Sequence, residues 1–485
     1  MHTKTTDFHY TIYKKSIDSR KETEYVYQVL VDIENEYIYL KHKDVSKYAK
    51  EKIEIKKINT SKRPIIIGYG PSGMFASLKL LDSGIKSVVF EKGKRIKERT
   101  LDVESFIKSG ILDENSNIQY GEGGAGAFSD AKLTTRIKDK YIEYILDTLI
   151  KFGANKSIKY EAHPHIGSDN IKPIIERITN HLIANGVEFH FEEEVKDFII
   201  EDGAVKKIVT DAEQYSSDSF VLAIGHSSRS TVENLIKHNV YVEAKDTSIG
   251  FRVEHKQSFI NSNQYKDDTI KKPSEYFLTY KNERNVYTFC MCPGGYVIPA
   301  TSIKEHVVTN GMSNAARDSA FANSAILIQV NKEEFNNNPL LGYDYLYKLE
   351  QEAYKVSNSY KAISQNIKDY INGGLNKLIF KSTYSLDTVL FDYNKLFTDK
   401  QNVILKEALK SFDRKIPGFI DNGIMVGPET RTSSPARIKR NSIIESINIS
   451  NLYPVGEGAG YGGGIMSCSL DGIRAADSII NKYSK

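Results

Sequence analysis

Apolar and polar positions alternate over residues 8–14 and again over 25–32, the period of a half-buried strand, with polar stretches at 16–24 and 41–52 beside them. This predicts a small α+β module over residues 1–61, too short to hold much core of its own. From Arg63 onward the pattern changes. An unbroken apolar run at 64–67, a glycine-rich turn, helical periodicity over 74–83 and a second apolar run at 88–90 predict a β-α-β unit. Farther along, Ile174, Ile175, Ile178, Leu182 and Ile183 fall near one face of a helix over 171–185 that Gly186 stops. Short strand-like runs follow at 187–191, 198–201, 205–210 and 220–224. Residues 250–424 read differently, with strands at 286–291, 296–300 and 326–330 ahead of amphipathic helices such as the one carrying Leu346, Leu349, Ala353 and Val356.

The architecture these patterns predict is α/β. A Rossmann-like domain built from 62–249 and a C-terminal return at 425–485 is interrupted by an α+β substrate domain at 250–424, with an antiparallel sheet and a helical cover. The length of 485 residues agrees, because a single core rarely organises more than about 250 to 300. With 40% apolar and 26% charged residues and no biased tract, disordered and collagen-like classes drop out. Lys and Arg number 66 against 62 Asp and Glu, and a net +4 over so large a surface predicts no nucleic-acid partner. No apolar run reaches the ~18 residues of a membrane span. Three cysteines, and a start without the apolar core of a signal peptide, predict a cytoplasmic protein.

The candidate chemistry begins at Ile65-Ile66-Ile67-Gly68-Tyr69-Gly70-Pro71-Ser72-Gly73, a G-x-G-x-x-G directly after a strand and at the start of a helix. In that setting Gly68 permits the turn, Gly70 lets backbone approach a diphosphate, and Gly73 lets helix and sheet pack closely. Free N–H groups and the helix dipole stabilise the diphosphate, and Pro71 fits a first turn whose N–H would be unpaired. Glu91 closes the second strand, where a carboxylate accepts hydrogen bonds from both ribose hydroxyls of an adenosine. FAD and NAD share this half-site. The run from Asn451 to Ile465 favours FAD, because an extended flavin needs a second site. There Gly456 and Glu457 are placed for the ribityl hydroxyls, and N–H groups near Gly463, Gly464 and Ile465 for the pyrimidine edge of the ring, where a helix dipole stabilises the charge of the reduced flavin.

Six further segments carry a family resemblance: 121–136, 223–227, 289–295, 310–313, 429–435 and the C-terminal glycine run. From about residue 62 to its end the chain resembles the FAD-dependent oxidoreductases of the glutathione-reductase-like superfamily, and within it a bacterial family of FAD-dependent dehydrogenases. The resemblance implies a two-part FAD domain, a flavin loop at Gly123, Gly124, Ala125 and Gly126, and a second cofactor contact at Ala223 and Gly225. Ala131 stands where the family pattern has glycine.

His165 matches a family motif and is the candidate general acid or base, beside a structural, hydrogen-bonding reading; His163 and His226 are weaker candidates. Lys132, Arg136 and Arg431 are cations in motif segments, suited to reduced flavin or a substrate carboxylate, or to surface pairing. Cys290 and Cys292, one residue apart, favour packing or a pocket role over redox exchange, and Cys468 completes no metal pattern. The reading is an FAD-dependent oxidoreductase, a dehydrogenase or reductase, acting on a small organic molecule. The alternatives are a monooxygenase served by transiently bound NAD(P)H, and a flavoprotein of RNA modification or binding. Oligomeric state stays open.

Overall fold

The computed structural model describes residues 9–20, 22–49, 51, 53–265 and 270–484. Phe8, Lys50 and Lys52, at the edges of the expected N-terminal elements, lie outside the described residues. Strands Tyr10–Asp18 and Glu24–Val31 form an antiparallel hairpin, so the polar stretch from Ser16 is partly strand. The hairpin docks through backbone bonds between Lys15 and Tyr160 (2.6 Å) and between Ala162 and Lys15 (2.8 Å).

The rest of the chain builds two principal sheets. In chain order their elements are β1 (Ile65–Ile67), α1 (Pro71–Asp82), β2 (Val88–Glu91), α2 (Ser168–Ala184), β3 (Glu188–Phe191), β4 (Phe220–Leu222), β5 (Thr247–Lys256), β6 (Thr279–Lys281), β7 (Asn285–Cys292), β8 (Phe321–Val330), α3 (Pro339–Ser357), β9 (Ala362–Asn366), β10 (Thr388–Leu390), α4 (Asp399–Lys415), β11 (Ile424–Glu429), β12 (Leu452–Pro454) and α5 (Gly464–Tyr483). The first sheet is parallel, in the order β12-β4-β1-β2-β3. Its central strands β1 and β4 are continuous apolar runs, buried on both faces, whereas the edge strand β3 alternates polar and apolar residues. α1 and α5 cross so closely that a Cβ on Gly472 would strike the Ser72 carbonyl. Ser72 Oγ donates to the Cys468 carbonyl at 2.9 Å, across 396 residues of chain.

The second sheet has seven strands in the order β6-β7-β8-β5-β11-β9-β10. It is antiparallel except for the β9–β10 pair. Leu346 and Ala353 of α3, and Leu405 and Phe412 of α4, bury its inner residues Phe251, Ile326 and Met425. The sheet starts at Thr247 and takes in Glu429, so a boundary at 250 cuts a strand. The chain crosses between the sheets twice, and the crossings pair with each other, Val242–Ala244 against Ala436–Ile438. In β7 the register against β8 shifts between Phe289 and Cys292, a bulge that leaves Cys290 at φ 42°.

Candidate functional site

β1 ends in the glycine turn. Gly68 takes φ 93°, and a Cβ there or on Gly73 would strike the carbonyl of Ala223 or of Gly68, so both positions keep strand, turn and helix in contact. Gly70 is different: a Cβ there meets nothing nearer than Gly124 Cα at 3.7 Å. Gly70 is also the N-cap of α1, with Pro71 next and no side chain capping the free N–H groups. Glu91 accepts bonds from the N–H groups of Tyr69 (2.9 Å), Gly93 (3.0 Å) and Gly121 (3.0 Å). A carboxylate has about four lone-pair positions, so room remains for one ribose hydroxyl, where the sequence suggested two.

The 121–132 loop is held from inside. Arg99, fully buried, donates to the carbonyls of Asn117, Ile118, Gly121, Glu122 and Gly124. Ala131 adopts φ 51°, a left-handed conformation that glycine takes freely. Residues 131–133 then bond backbone to backbone with 164–166. Asp130 pairs with Arg317, both side chains nearly buried, and Lys132 Nζ donates to the Met291 carbonyl.

At the C-terminal return, Asp471 accepts the Gly456 N–H at 2.7 Å and pairs with Arg440. The Glu457 carboxylate accepts no hydrogen bond from any described residue, and burial pushes it up to about 8, against a smaller pull from Lys245. Gly463 is the N-cap of α5, again without a capping side chain. Cβ atoms on Gly225 and Gly464 would enter open space.

These segments enclose one inner cavity. Gly68, Gly70, Pro71, Ser72, Glu91, Gly124, Ala125, Gly126, Ala223, Gly225, Gly456, Glu457, Gly464 and Ile465 all line it. Gly73 and Gly123 do not; they sit behind the wall. Gly463 lines an outer groove instead. The groove runs over the exposed face of β6 and β7 and shares Lys132, Phe289, Cys290, Thr432, Glu457 and Gly464 with the cavity, so the two meet at that junction.

Residues 246–432 match the family model described as FAD-dependent protein, C-terminal domain-like. An uncharacterized protein of Clostridium beijerinckii is 41% identical over 493 residues, covering 97% of this chain and 92% of that protein. The chain belongs to that protein's family. Solved structures it is similar to include CtdE in complex with FAD (11% identity, 87% of this chain and 84% of that chain, TM-score 0.33). Others are the flavin-dependent brominase Bmp2 (12%, 87% and 79%, 0.37) and the E. coli quinol fumarate reductase FrdA (12%, 87% and 70%, 0.40).

The residues present fit FAD. Two uncapped helix N-termini and the open sides of Gly70, Gly225 and Gly464 face one cavity, and Glu457 stands in it unpartnered.

The catalytic candidates separate. His165 lies in neither cavity nor groove: its Nε2 faces the Ala315 carbonyl at 3.2 Å, its backbone bridges Lys132, and burial lowers its pKa. It braces the 121–132 loop, so the expected catalytic histidine lies outside both spaces. His163, on the groove, pairs with Glu275 at 3.0 Å. His226 lines the cavity, and burial first, then Arg431, pushes it down to about 4, so it is neutral at pH 7. Lys132 stands at the junction. Arg431 lines the cavity with its charge matched by Glu350 (Nε 2.6 Å, Nη2 2.8 Å), while the buried Nη1 has no partner. Cys290 reaches both spaces and is solvent-exposed.

The sequence reading missed Tyr120, in the cavity wall, and the buried ion pair of Arg252 with Glu429 (2.7 Å), which also holds Asn310. For Arg252 a signal existed: an arginine between Phe251 and Val253 in a strand buried from Thr247 to His255 needs a partner.

Proposed function

We propose that the protein is an FAD-dependent oxidoreductase of the glutathione-reductase-like kind, holding FAD without a covalent link and exchanging a hydride with a small organic molecule at the junction of cavity and groove. One observation carries this reading: the 68–72 turn and the 456–465 segment, at opposite ends of the chain, line the same cavity, each with an uncapped helix N-terminus. Bound FAD supplies the hydride chemistry. The N–H groups at Gly70 to Ser72 hold the diphosphate, Glu91 one ribose hydroxyl, and Glu457 the ribityl chain. The amino end of α5 and Lys132 stabilise negative charge beside the groove. Arg431, held by Glu350, forms part of the cavity wall. A nicotinamide donor or acceptor enters by the groove.

The test is direct. The purified protein is expected to be yellow and, after denaturation and chromatography, to release FAD. Release of FMN alone, or no flavin after reconstitution, overturns the reading.

A further inference from the structure

Four large apolar side chains that face solvent converge in the outer groove: Ile137 (36% exposed), Phe277 (64%), Phe289 (36%) and Tyr461 (39%). Singly such exposure is ordinary. Gathered in one concavity that opens onto an internal cavity, it marks a ligand surface.

The charges in the same groove do not cancel. Among the described residues, no carboxylate lies within ion-pair distance of Arg136, Lys245 or Lys281. Lys132 has only Asp130, at 3.9 Å, and Asp130 is already paired with Arg317. The groove's own acids are engaged. Asp246 accepts from Gln329 Nε2 and the Lys332 N–H, both at 3.0 Å, and Glu275 is held between His163 (3.0 Å) and Arg317 (2.7 Å). Glu457, raised to about 8, keeps its proton at neutral pH. The groove is therefore cationic at pH 7. One of its cations already rests on a ring: the Arg136 guanidinium lies 5.4 Å from the Phe277 centroid.

We infer that the outer groove binds a small organic carboxylate with an apolar, ring-bearing body, its rings against Phe277 and Phe289 and its charge held by Arg136 with Lys132 or Lys281. Cations set among exposed hydrophobic side chains suit one carboxylate on an apolar body better than a phosphate, which needs several converging N–H donors. Such a ligand reaches the junction at Lys132 and Cys290. It is the substrate class of the site proposed above, and its turnover rests on that reading, whereas its binding does not.

Calorimetric titration of the FAD-loaded protein with 3-phenylpropionate, cinnamate, 2-naphthoate and decanoate, each against its primary amide, tests the inference, with flavin content measured on every sample. At least one aryl carboxylate is expected to bind about tenfold or more tighter than its amide. Arg136→Gln should erase most of that preference, and Phe277→Ala should weaken acid and amide alike; both residues are exposed, so the fold is preserved. Amides that bind as well as acids, no binding by any aryl carboxylate, or indifference to both substitutions overturns the inference. Protein that takes up no flavin on reconstitution yet still prefers the acids overturns the flavin reading and supports this one.

Discussion

A Cβ at Gly68 or Gly73 would strike backbone, whereas one at Gly70 enters the cavity in ordinary contact with Gly124 Cα at 3.7 Å. Gly70→Val is therefore expected to keep the far-ultraviolet circular dichroism of the parent and lose bound FAD, which separates folding from cofactor retention. A variant that retains FAD at parental stoichiometry places the diphosphate elsewhere. Glu457 carries a pH prediction for the FAD-free protein. Its carboxyl titrates near 4.5 when unfolded and near 8 when folded, so over that window the folded state binds the extra proton and its stability falls as pH rises. Below the window both states hold the proton, and above it both have released it. The stability of the parent relative to Glu457→Gln should thus decline from about pH 4.5 to 8 and then level, as read from urea midpoints; a flat difference contradicts the burial that causes it. His165→Ala should keep FAD and slow substrate-dependent flavin reduction by less than about tenfold in stopped flow, below the ~10² to 10⁴ of a lost general acid or base. A larger loss returns the ring to the chemistry.

The 121–132 loop owes its shape to partners distant in the chain: Asp130 meets Arg317 across 187 residues, with side chains 4% and 3% exposed. Truncating Arg317 leaves Asp130 buried with only Lys132 at 3.9 Å, so Arg317→Ala should cost about 3 kcal/mol in urea unfolding. A cost below about 1 kcal/mol shows that water reaches Asp130. The same distances explain what could be read in advance. The β1–α1–β2 unit was legible because its strands, turn and helix are contiguous and each obeys a local rule, from apolar runs to a proline in the first helical turn. The lining glycines were legible for the same reason. The place of His165 was not: a motif puts it near the flavin loop, but only its bridge to Lys132 and its bond to Ala315 show that the ring turns from the cavity. Glu91 was half legible, since its position follows from strand length and its three N–H donors do not.

Neither sheet encloses the cavity alone. Residues 68–72, 223–227 and 456–468 come from the parallel side and 289–292 and 429–432 from the seven-stranded side, with 310–311 from the short ladder of Tyr296–Pro299 and Thr309–Met312. The crossings between them are paired as Val242–Ala244 with Ala436–Ile438, so neither half separates without breaking a ladder. A ligand that binds only the closed arrangement stabilises it by RT ln(1 + [L]/Kd), about 2.7 kcal/mol at a hundredfold excess over Kd. At roughly 2 cal/mol/K of unfolding entropy per residue, a chain this long should gain only about 3 °C. Because both sheets line the site, that gain belongs to the cooperative unfolding of both. Differential scanning calorimetry should show a single transition in FAD-loaded protein, displaced upward as a whole from the FAD-free trace. A second transition with an unmoved midpoint, assigned to the seven-stranded sheet by limited proteolysis after partial heating, would show that the wall from β7 and β11 takes no part in holding the cofactor.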